Sequence, residues 1–261
     1  MPAGDPVKAF VLAGGRGTRL APYTMLFPKP LIPLGDLPIL EIVLRQLRWY
    51  GFNEAIISVG HLASLIEAYF MTRGPIEGLD ITYVRETKPL GTAGALGLLG
   101  NVDDDLLVVN GDVLTTLDYS TVVTHHRKQD ASLTISVHSV ELQIELGVLE
   151  IDSEGEVVGY VEKPVTRHDC SMGVYVCSPS AIQAIQAGEQ LDFPDLVLRL
   201  IERGEKVSAY RTDCYWVDIG REEQYRRACE EFLVRRPSLL PDEQISRLTR
   251  AKGGSGDLPV G

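Results

Sequence analysis

The sequence predicts an α/β protein in which a mixed, mainly parallel sheet lies between two layers of helices. Apolar runs of strand length alternate with helical patterns over the first 130 residues, which is the order of βαβ units in a parallel sheet. Closely spaced strand patterns separated by turns follow over about 132–177, and helical patterns then return. A chain of 261 residues with 44% hydrophobic side chains can bury a substantial core.

Apolar runs, helical spacing and Gly or Pro boundaries assign the individual elements. In the first half, the patterns predict strands at 7–12, 54–59, 79–85 and 106–109 and helices at 38–50, 62–70, 92–99 and 118–129. In the second half, they predict strands at 132–138, 147–151, 157–161, 173–177 and 206–210 and helices at 180–186, 193–203 and 222–234.

Net charge and residue usage narrow the class of protein. The formal net charge is −11 and the pI is about 5.0, which argues against a nucleic-acid-binding surface. The four cysteines have no metal-ligand spacing, so reduced thiols are favoured over a metal or disulfide framework. No apolar stretch approaches the length of a membrane span, and the N-terminus has no targeting pattern. We expect a cytoplasmic protein without nucleic-acid or membrane partners.

One segment departs from this acidic background. No Asp or Glu occurs over residues 6–35, whereas Lys8, Arg16, Arg19 and Lys29 are present. A local basic pocket in an acidic protein suits a small polyanion better than a polymer. The alternative is a solvated basic face, which the interleaved glycines and prolines make the weaker interpretation.

The same segment holds a glycine-rich stretch directly after the first apolar run. It lacks the Walker pattern, and Leu20 stands where a dinucleotide fingerprint needs its third glycine. Four prolines between residues 22 and 33 would interrupt a crossover helix. We therefore predict an irregular loop whose main-chain N–H groups face phosphate oxygens. Arg19 and Lys29 would add the positive charges that a triphosphate requires.

Four motifs together resemble the signature of the sugar-1-phosphate nucleotidylyltransferases, also called NDP-sugar pyrophosphorylases. The four motifs are most similar to those of the mannose-1-phosphate and heptose-1-phosphate guanylyltransferase branch. The motifs occur in the family's order and span residues 7 to about 232. The motifs are Leu12-Ala13-Gly14-Gly15-x-Gly17-Thr18-Arg19-Leu20 with Pro28-Lys29-Pro30, then Asn110-Gly111-Asp112, Glu162-Lys163-Pro164 and Trp216-Val217-Asp218-Ile219-Gly220.

The resemblance implies an architecture and a reaction. The fold would be a three-layer α/β/α, Rossmann-like nucleotidyltransferase fold. One domain would cover 1–235, with a nucleotide half at about 1–130 and a sugar-binding half at about 131–235. Residues 236–261 would form a partly disordered tail without a β-helix domain. The reaction would join a sugar 1-phosphate to the α-phosphate of a nucleoside triphosphate and release pyrophosphate, and family members often self-associate, so a homo-oligomer is possible.

The resemblance also implies roles for single residues. Asp112 and Asp218 would hold Mg²⁺, Arg19 would face the leaving pyrophosphate, Lys29 the reacting phosphates and Lys163 the phosphate of the sugar. Taken singly, Asp112 could be a turn residue and Asp218 a helix cap. The nucleotide-binding candidates are Leu12, Gly14, Gly15, Gly17, Thr18, Glu86, Gly91 and Thr92. The candidates on the sugar side are Gly147, Glu162, Lys163 and Ser171.

The sequence indicates the nucleobase and the sugar of the two substrates less directly than it indicates the reaction. Glu86 stands where thymidylyl relatives carry Gln beside the base, and an ionised carboxylate only accepts hydrogen bonds. Guanine offers a ring N–H and an amine on one edge, so GTP is favoured; dTTP or ATP with glucose or heptose 1-phosphate is the alternative. Glu86 could instead be solvated at a strand end. Ser171 departs from the Asn that usually contacts the sugar, so the sugar stays open.

Two other classes compete with this interpretation. A nucleotide-sugar-dependent glycosyltransferase would place Asp-x-Asp after the apolar strand, where only Asp112 follows it. A regulatory subunit that binds nucleotide sugar without turnover would be signalled by loss of Arg19, Lys29 or either aspartate. All four residues are present, so an enzyme is the favoured class.

Overall fold

The computed structural model describes residues 8–243. Its strands are β1 Lys8–Ala13, β2 Pro33–Leu34, β3 Leu37–Pro38, β4 Glu54–Val59, β5 Asp80–Arg85, β6 Leu106–Asn110, β7 Val113–Thr115, β8 Leu133–Gln143, β9 Gly147–Ile151, β10 Val157–Glu162, β11 Val165–Cys177, β12 Val207–Arg211 and β13 Trp216–Asp218. Its α-helices are α1 Tyr23–Leu26, α2 Ile39–Trp49, α3 Ala63–Arg73, α4 Gly91–Gly94, α5 Tyr119–Gln129, α6 Pro179–Gln183, α7 Phe193–Glu202 and α8 Glu222–Leu239. Short 3-10 helices cover Thr18–Leu20, Lys29–Leu31 and Ala95–Leu98.

A seven-stranded sheet forms the centre of the molecule, in the order β12-β8-β11-β6-β1-β4-β5. Neighbours pair in parallel except at β11, which is antiparallel to both β6 and β8. The mixed, mainly parallel sheet is therefore confirmed. Strands from both predicted halves belong to this one sheet, because β8, β11 and β12 all follow residue 130.

Helices cover both faces of the sheet. One apolar cluster joins the sheet to α2, α3 and α5, and a second joins its other face to α4, α6 and α7. The helix α2 buries eight of its eleven residues, because its apolar residues recur at helical spacing on the face toward the sheet and its other side meets a third cluster with α8. This is the predicted three-layer arrangement. No helix within residues 8–243 is both long and apolar enough to span a membrane.

Several predicted elements differ from the structure at their ends. The predicted strands 132–138 and 173–177 are parts of the longer β8 and β11, whose outer residues are mostly exposed. The predicted helix 92–99 is a single α-turn followed by a 3-10 turn. The predicted helix 222–234 continues to Leu239, which is fully buried. The first residues of the predicted tail thus belong to α8, and residues 244–261 lie outside the described part of the chain.

Candidate active site

The glycine-rich loop leaves the carboxyl end of β1, at the centre of the sheet. Gly17 adopts the left-handed conformation with φ of 61°, and the Thr24 hydroxyl donates to its carbonyl oxygen at 2.9 Å. A Cβ at residue 17 would lie 2.9 Å from Cβ of Lys29. The absence of a side chain at Gly17 therefore lets the loop pack directly on Lys29.

Two strand pairings bring the predicted metal-binding aspartates together. Asp112 follows β6, and Asp218 ends β13, which pairs antiparallel with β7 so that Asp218 lies opposite Val113. The backbone N–H of Ile219 donates to the carbonyl oxygen of Asp112 at 3.2 Å. The two carboxylates are thus neighbours although 106 positions separate them in the sequence.

Two basic side chains join these carboxylates. Lys29 is only 8% exposed and its Nζ forms an ion pair with Oδ2 of Asp112. A Cβ on Gly220 would contact both Oδ2 of Asp218, at 3.3 Å, and Nη2 of Arg19, at 3.6 Å. Burial raises the pKa of Asp218 and the Asp112 charge raises it further, whereas Lys29 and Arg19 lower it. All four predicted catalytic residues therefore share one electrostatic site.

A cavity of about 260 Å³ adjoins this site. It contains six of the eight predicted nucleotide-binding residues, but Gly17 and Thr18 lie outside its lining. The lining residues are Leu12, Ala13, Gly14, Gly15, Lys29, Pro30, Glu86, Pro89, Gly91, Thr92, Asn110 and Asp112. Glycine backbone, a buried lysine and a carboxylate in one concave site fit a phosphate-bearing ligand of small size.

Glu86 forms one wall of this cavity. The Ser58 hydroxyl donates to its Oε1 at 2.7 Å, and the N–H of Leu90 donates to its Oε2 at 3.2 Å. A Cβ on Gly14 would lie 2.2 Å from the same Oε1. The carboxylate is thus half-buried and held in place, and is not solvated at a strand end. Ser58 was missed from the sequence because a small residue within an apolar strand looks like core.

Asn110 also lines the cavity, and no separate role was predicted for it from the sequence. Its Oδ1 is buried without a hydrogen-bond donor among the described residues. Gly173, with φ of 72°, lets β11 pass close to it, because a Cβ there would lie 2.5 Å from Nδ2 of Asn110. The orphaned oxygen leaves an acceptor at the cavity wall, a position that its place in the Asn110-Gly111-Asp112 motif could have indicated.

Gly91 and Thr92 connect the cavity to α7. Gly91 has φ of 78°, and a Cβ there would lie 2.5 Å from the carbonyl oxygen of Leu191. The N–H and hydroxyl of Thr92 both donate to Oδ1 of Asp192, at 2.8 and 3.2 Å, and the hydroxyl accepts from the N–H of Phe193. The Thr92 side chain lines the cavity but is fully engaged with the start of α7.

The predicted sugar-side residues lie elsewhere. Gly147 and Glu162 are opposite each other in the β9–β10 pair, and the Tyr160 hydroxyl donates to Oε2 of Glu162 at 2.9 Å. Lys163 lies 3.6 Å from the Glu145 carboxylate, with its side chain half-exposed. The remaining candidate, Ser171, donates its hydroxyl to the Tyr175 hydroxyl at 3.0 Å. None of the four predicted sugar-side residues lines the 260 Å³ cavity.

A larger cavity, of about 630 Å³, lies at the carboxyl ends of α2 and α3 and contains no predicted site residue. Two of the arginines that line it are already paired with carboxylates, Arg45 with Asp242 and Arg73 with Glu41. Six of the predicted nucleotide-binding residues, with Lys29 and Asp112, therefore lie at the smaller cavity at the end of β1.

Curated proteins are similar to this chain in sequence. UTP–glucose-1-phosphate uridylyltransferase of Synechocystis is 35% identical over 249 residues, which cover 88% of this chain and 64% of that protein. Mannose-1-phosphate guanylyltransferase of Mycobacterium tuberculosis is 34% identical over 236 residues, covering 87% and 65% respectively. The chain thus spans about two thirds of the length of these curated relatives.

A solved structure and a family model are also similar to this chain. The crystal structure of HddC from Yersinia pseudotuberculosis complexed with GMP-PN matches with a TM-score of 0.69 and 28% identity, over 87% of this chain and 99% of that one. The model of the family described as nucleotidyl transferase matches residues 8–234, a span that includes the glycine-rich loop, both aspartates and the β9–β10 pair. The chain belongs to the nucleotidyl transferase family.

Proposed function

We propose that this protein is a sugar-1-phosphate nucleotidylyltransferase, which transfers a nucleotidyl group from a nucleoside triphosphate to a sugar 1-phosphate and releases pyrophosphate. The observation that carries the proposal is the convergence of Arg19, Lys29, Asp112 and Asp218 beside a glycine-lined cavity. Relatives with sugar-1-phosphate nucleotidylyltransferase names support the same reaction class.

This reaction requires the protein mainly to neutralise charge and to align the two reactants. The attacking oxygen belongs to a phosphate that is already ionised at neutral pH, so no general base is needed. Two anions must meet in line, and the barrier is electrostatic. Lys29 would lie against the reacting phosphates and Arg19 against the leaving pyrophosphate, while the N–H groups of Gly14 and Gly15 hold the triphosphate.

The donor set fits Mg²⁺. Asp112 and Asp218 provide carboxylate oxygens, which suit a hard cation whose remaining positions are filled by water and phosphate. Burial raises the pKa of Asp218 most, and the negative charge of Asp112 raises it further; a divalent cation would neutralise the charge of this pair. When bound, the metal would supply neutralisation of the phosphate charge.

Glu86 would select the base, with GTP preferred. Ser58 and the Leu90 N–H each occupy one carboxylate oxygen, which leaves further acceptor lone pairs for the ring N–H and amine of guanine. A carbonyl of thymine or uracil at the same place would face only acceptors, at a cost of about 1–3 kcal/mol. The complex of the HddC structure with GMP-PN supports a guanine nucleotide, whereas a uridylyl relative supports the alternative of another base.

A cytoplasmic location would place the enzyme with its nucleotide substrates. Four free cysteines are consistent with a reducing compartment.

Pyrophosphate release tests the reaction. With Mg²⁺ present, GTP, dTTP, UTP, CTP and ATP are each combined with mannose, glucose and heptose 1-phosphates. We expect turnover with GTP and one of the sugar phosphates. Release with no combination would refute the reaction and favour a regulatory subunit that binds nucleotide sugar without turnover.

The variant Glu86→Gln tests the base assignment. We expect the ratio of kcat/KM for GTP to that for dTTP to fall roughly 10- to 100-fold, the equivalent of about 1–3 kcal/mol. Glu202→Gln, at an exposed position at the end of α7, is the matched control and should leave the ratio unchanged. An unchanged ratio in Glu86→Gln would remove Glu86 from base selection while leaving the reaction class intact.

A further inference from the structure

A short turn joins β4 to α3 beside the glycine-rich loop. β4 pairs in parallel with β1 out to Ala13, which lies opposite Val59. The turn at 60–62 and the start of the loop therefore leave neighbouring strands at the same edge of the sheet. Leu62 has φ of 56°, a left-handed conformation that a non-glycine residue keeps only where the surrounding structure maintains it. That structure is β4, flanked by β1 and β5, together with α3, which packs on the sheet.

The backbone of this turn contacts Gly14 directly. The N–H of His61 donates to the carbonyl oxygen of Gly14 at 3.2 Å. A Cβ on Gly60 would lie 2.8 Å from the same oxygen and 3.3 Å from Cα of Gly14. A methyl group does not fit in that space, so the absence of a side chain at Gly60 lets the turn pack on the Gly14 carbonyl.

The hydrogen bond from His61 fixes the orientation of the peptide group between Gly14 and Gly15. This peptide bond is trans, so its carbonyl and its N–H point in opposite directions. The carbonyl points to the β4 side of β1, and the N–H of Gly15 therefore points to the β6 side. Asn110, which ends β6, and Asp112 line the cavity on that side. The contact with the turn thus directs a backbone donor at the cavity.

The N–H of Gly15 has room for a ligand. Gly15 is exposed, and its N–H donates to no acceptor within residues 8–243. An added Cβ at Gly15 would meet nothing within 4 Å, so the space around this residue is open. A phosphate oxygen is a suitable acceptor, because its charge strengthens a hydrogen bond from a backbone N–H.

Glu86 also contacts Gly14. A Cβ on Gly14 would lie 2.2 Å from Oε1 of Glu86, and this oxygen accepts from the hydroxyl of Ser58 on β4. One strand and the turn that follows it therefore support two parts of the site. Ser58 holds the carboxylate proposed to select the base, and His61 holds the peptide group that faces the phosphates.

We propose that the turn at 60–62 is a positioning element of the nucleotide site. The N–H of His61 orients the Gly14–Gly15 peptide, and the N–H of Gly15 then donates to an oxygen of the triphosphate. The role belongs to the backbone of His61 and not to its imidazole. This inference rests on the function proposed above, because it assigns the triphosphate to the 260 Å³ cavity.

Two substitutions at residue 61 separate the backbone N–H from the side chain. His61→Pro removes both, whereas His61→Ala removes the imidazole and keeps the N–H. The restriction that proline places on the preceding residue falls on Gly60, which tolerates it best. Isothermal titration calorimetry with inorganic tripolyphosphate premixed with Mg²⁺ measures binding without a base or a sugar.

We expect the dissociation constant for tripolyphosphate to be roughly 10- to 100-fold higher in His61→Pro than in His61→Ala, which is the effect of one hydrogen bond to a charged group. Equal dissociation constants in the two variants would overturn the proposal, because the backbone N–H would then have no part in binding. A wild type that does not bind tripolyphosphate would overturn it as well.

Gly60→Ala tests the same contact without proline and decides the question if His61→Pro does not fold. Its methyl group would displace the Gly14 carbonyl, so we expect tripolyphosphate binding to weaken roughly tenfold or more. Gly74→Ala is the matched control: Gly74 lies at the other end of α3, and an added Cβ would meet nothing within 4 Å. This variant should bind as the wild type does, and urea denaturation shows whether each variant is folded. Equal binding by the wild type and Gly60→Ala would overturn the proposal.

The pyrophosphate assay separates this inference from the proposed function. Gly60→Ala should raise KM for the nucleotide and leave KM for the sugar phosphate unchanged, a difference that a general loss of stability would not produce. Equal increases in both KM values would contradict the positioning role. If the variants bind tripolyphosphate more weakly but the wild type releases pyrophosphate with no substrate pair, the proposed function fails and the positioning role stands. Turnover by the wild type with unchanged binding in the variants would have the opposite meaning.

Discussion

Replacement of Gly17 by alanine tests whether backbone packing in the loop positions Lys29. The residue has φ of 61°, and an added Cβ would lie 2.9 Å from both Cβ of Lys29 and Cγ2 of Thr24, against 3.4–4 Å in an ordinary contact. The left-handed conformation costs a non-glycine residue about 1–2 kcal/mol, and overpacking adds about 1–3 kcal/mol. We expect Gly17→Ala to lose about 3 kcal/mol of unfolding free energy.

The effect on catalysis follows from the displacement of Lys29. Its Cβ must retreat by about half an ångström or more, which would carry the ammonium away from Asp112 and from the reacting phosphates. Misplacement on this scale lowers rates by roughly 10- to 100-fold. We expect kcat for pyrophosphate release to fall by that amount, measured under conditions in which urea denaturation shows the variant to be folded.

Gly100→Ala is the control for this variant. Gly100 has φ of 67° and nothing within 4 Å of an added Cβ. Alanine there should therefore lower the unfolding free energy only by the cost of the left-handed conformation, and it should leave kcat unchanged. Equal activity in the two variants would refute the inference that contact between residue 17 and Lys29 positions the lysine. Equal stability would show that the overlap relaxes without cost.

Two further predictions concern the metal and the stability of the sheet. Removal of divalent cations with EDTA should abolish pyrophosphate release but leave the urea midpoint unchanged, because Lys29 already neutralises Asp112; a fall in the midpoint would assign the metal a structural role. Asp105→Asn should lower the unfolding free energy at pH 7 by about 1 kcal/mol, since the hydrogen bond from buried His126 holds the Asp105 pKa below its ordinary value of 3.8. A carboxyl whose pKa is lowered in the folded state stabilises that state, and the stabilisation is lost as the pH falls through the lowered pKa. In urea denaturation, the unfolding free energies of the wild type and Asp105→Asn should therefore converge as the pH falls below 3.8. A difference that stays constant with pH would contradict this assignment.

The bounds of two strands, one mostly buried and one mostly exposed, could be predicted from the sequence. The strands at 54–59 and 147–151 have the predicted bounds: the first is a mostly buried apolar run in a parallel sheet, and the second is bounded by turn residues. The outer ends of β8 and β11 were not predicted from the sequence. The apolar alternation of β8 shifts by one residue between Val137 and Val140, where the predicted strand ends, and the outer half of β11 has no alternation. The three-residue strands β7 and β13 were not predicted either, although their pairing brings Asp218 beside Asp112.

The candidate site shows the same division. The resemblance of the four motifs to the family signature predicted Arg19, Lys29 and both aspartates as one group, and the structure brings them together. No local sequence pattern indicates a contact between residues that are far apart in the chain. The donation from Ser58 to Glu86 and the engagement of Thr92 by Asp192 each depend on a partner that only the folded chain places nearby.

The position of β13 after all other strands in the chain also sets the order in which the candidate site is assembled during synthesis. A nascent chain that has reached residue 215 already contains the glycine-rich loop, Lys29, Asp112 and Glu86, together with all seven strands of the central sheet. It lacks Asp218 and the α8 side chains that complete the third core cluster. Translation therefore delivers the second carboxylate after the residues of the glycine-lined cavity, and the candidate site becomes complete only with the last tenth or so of the described chain.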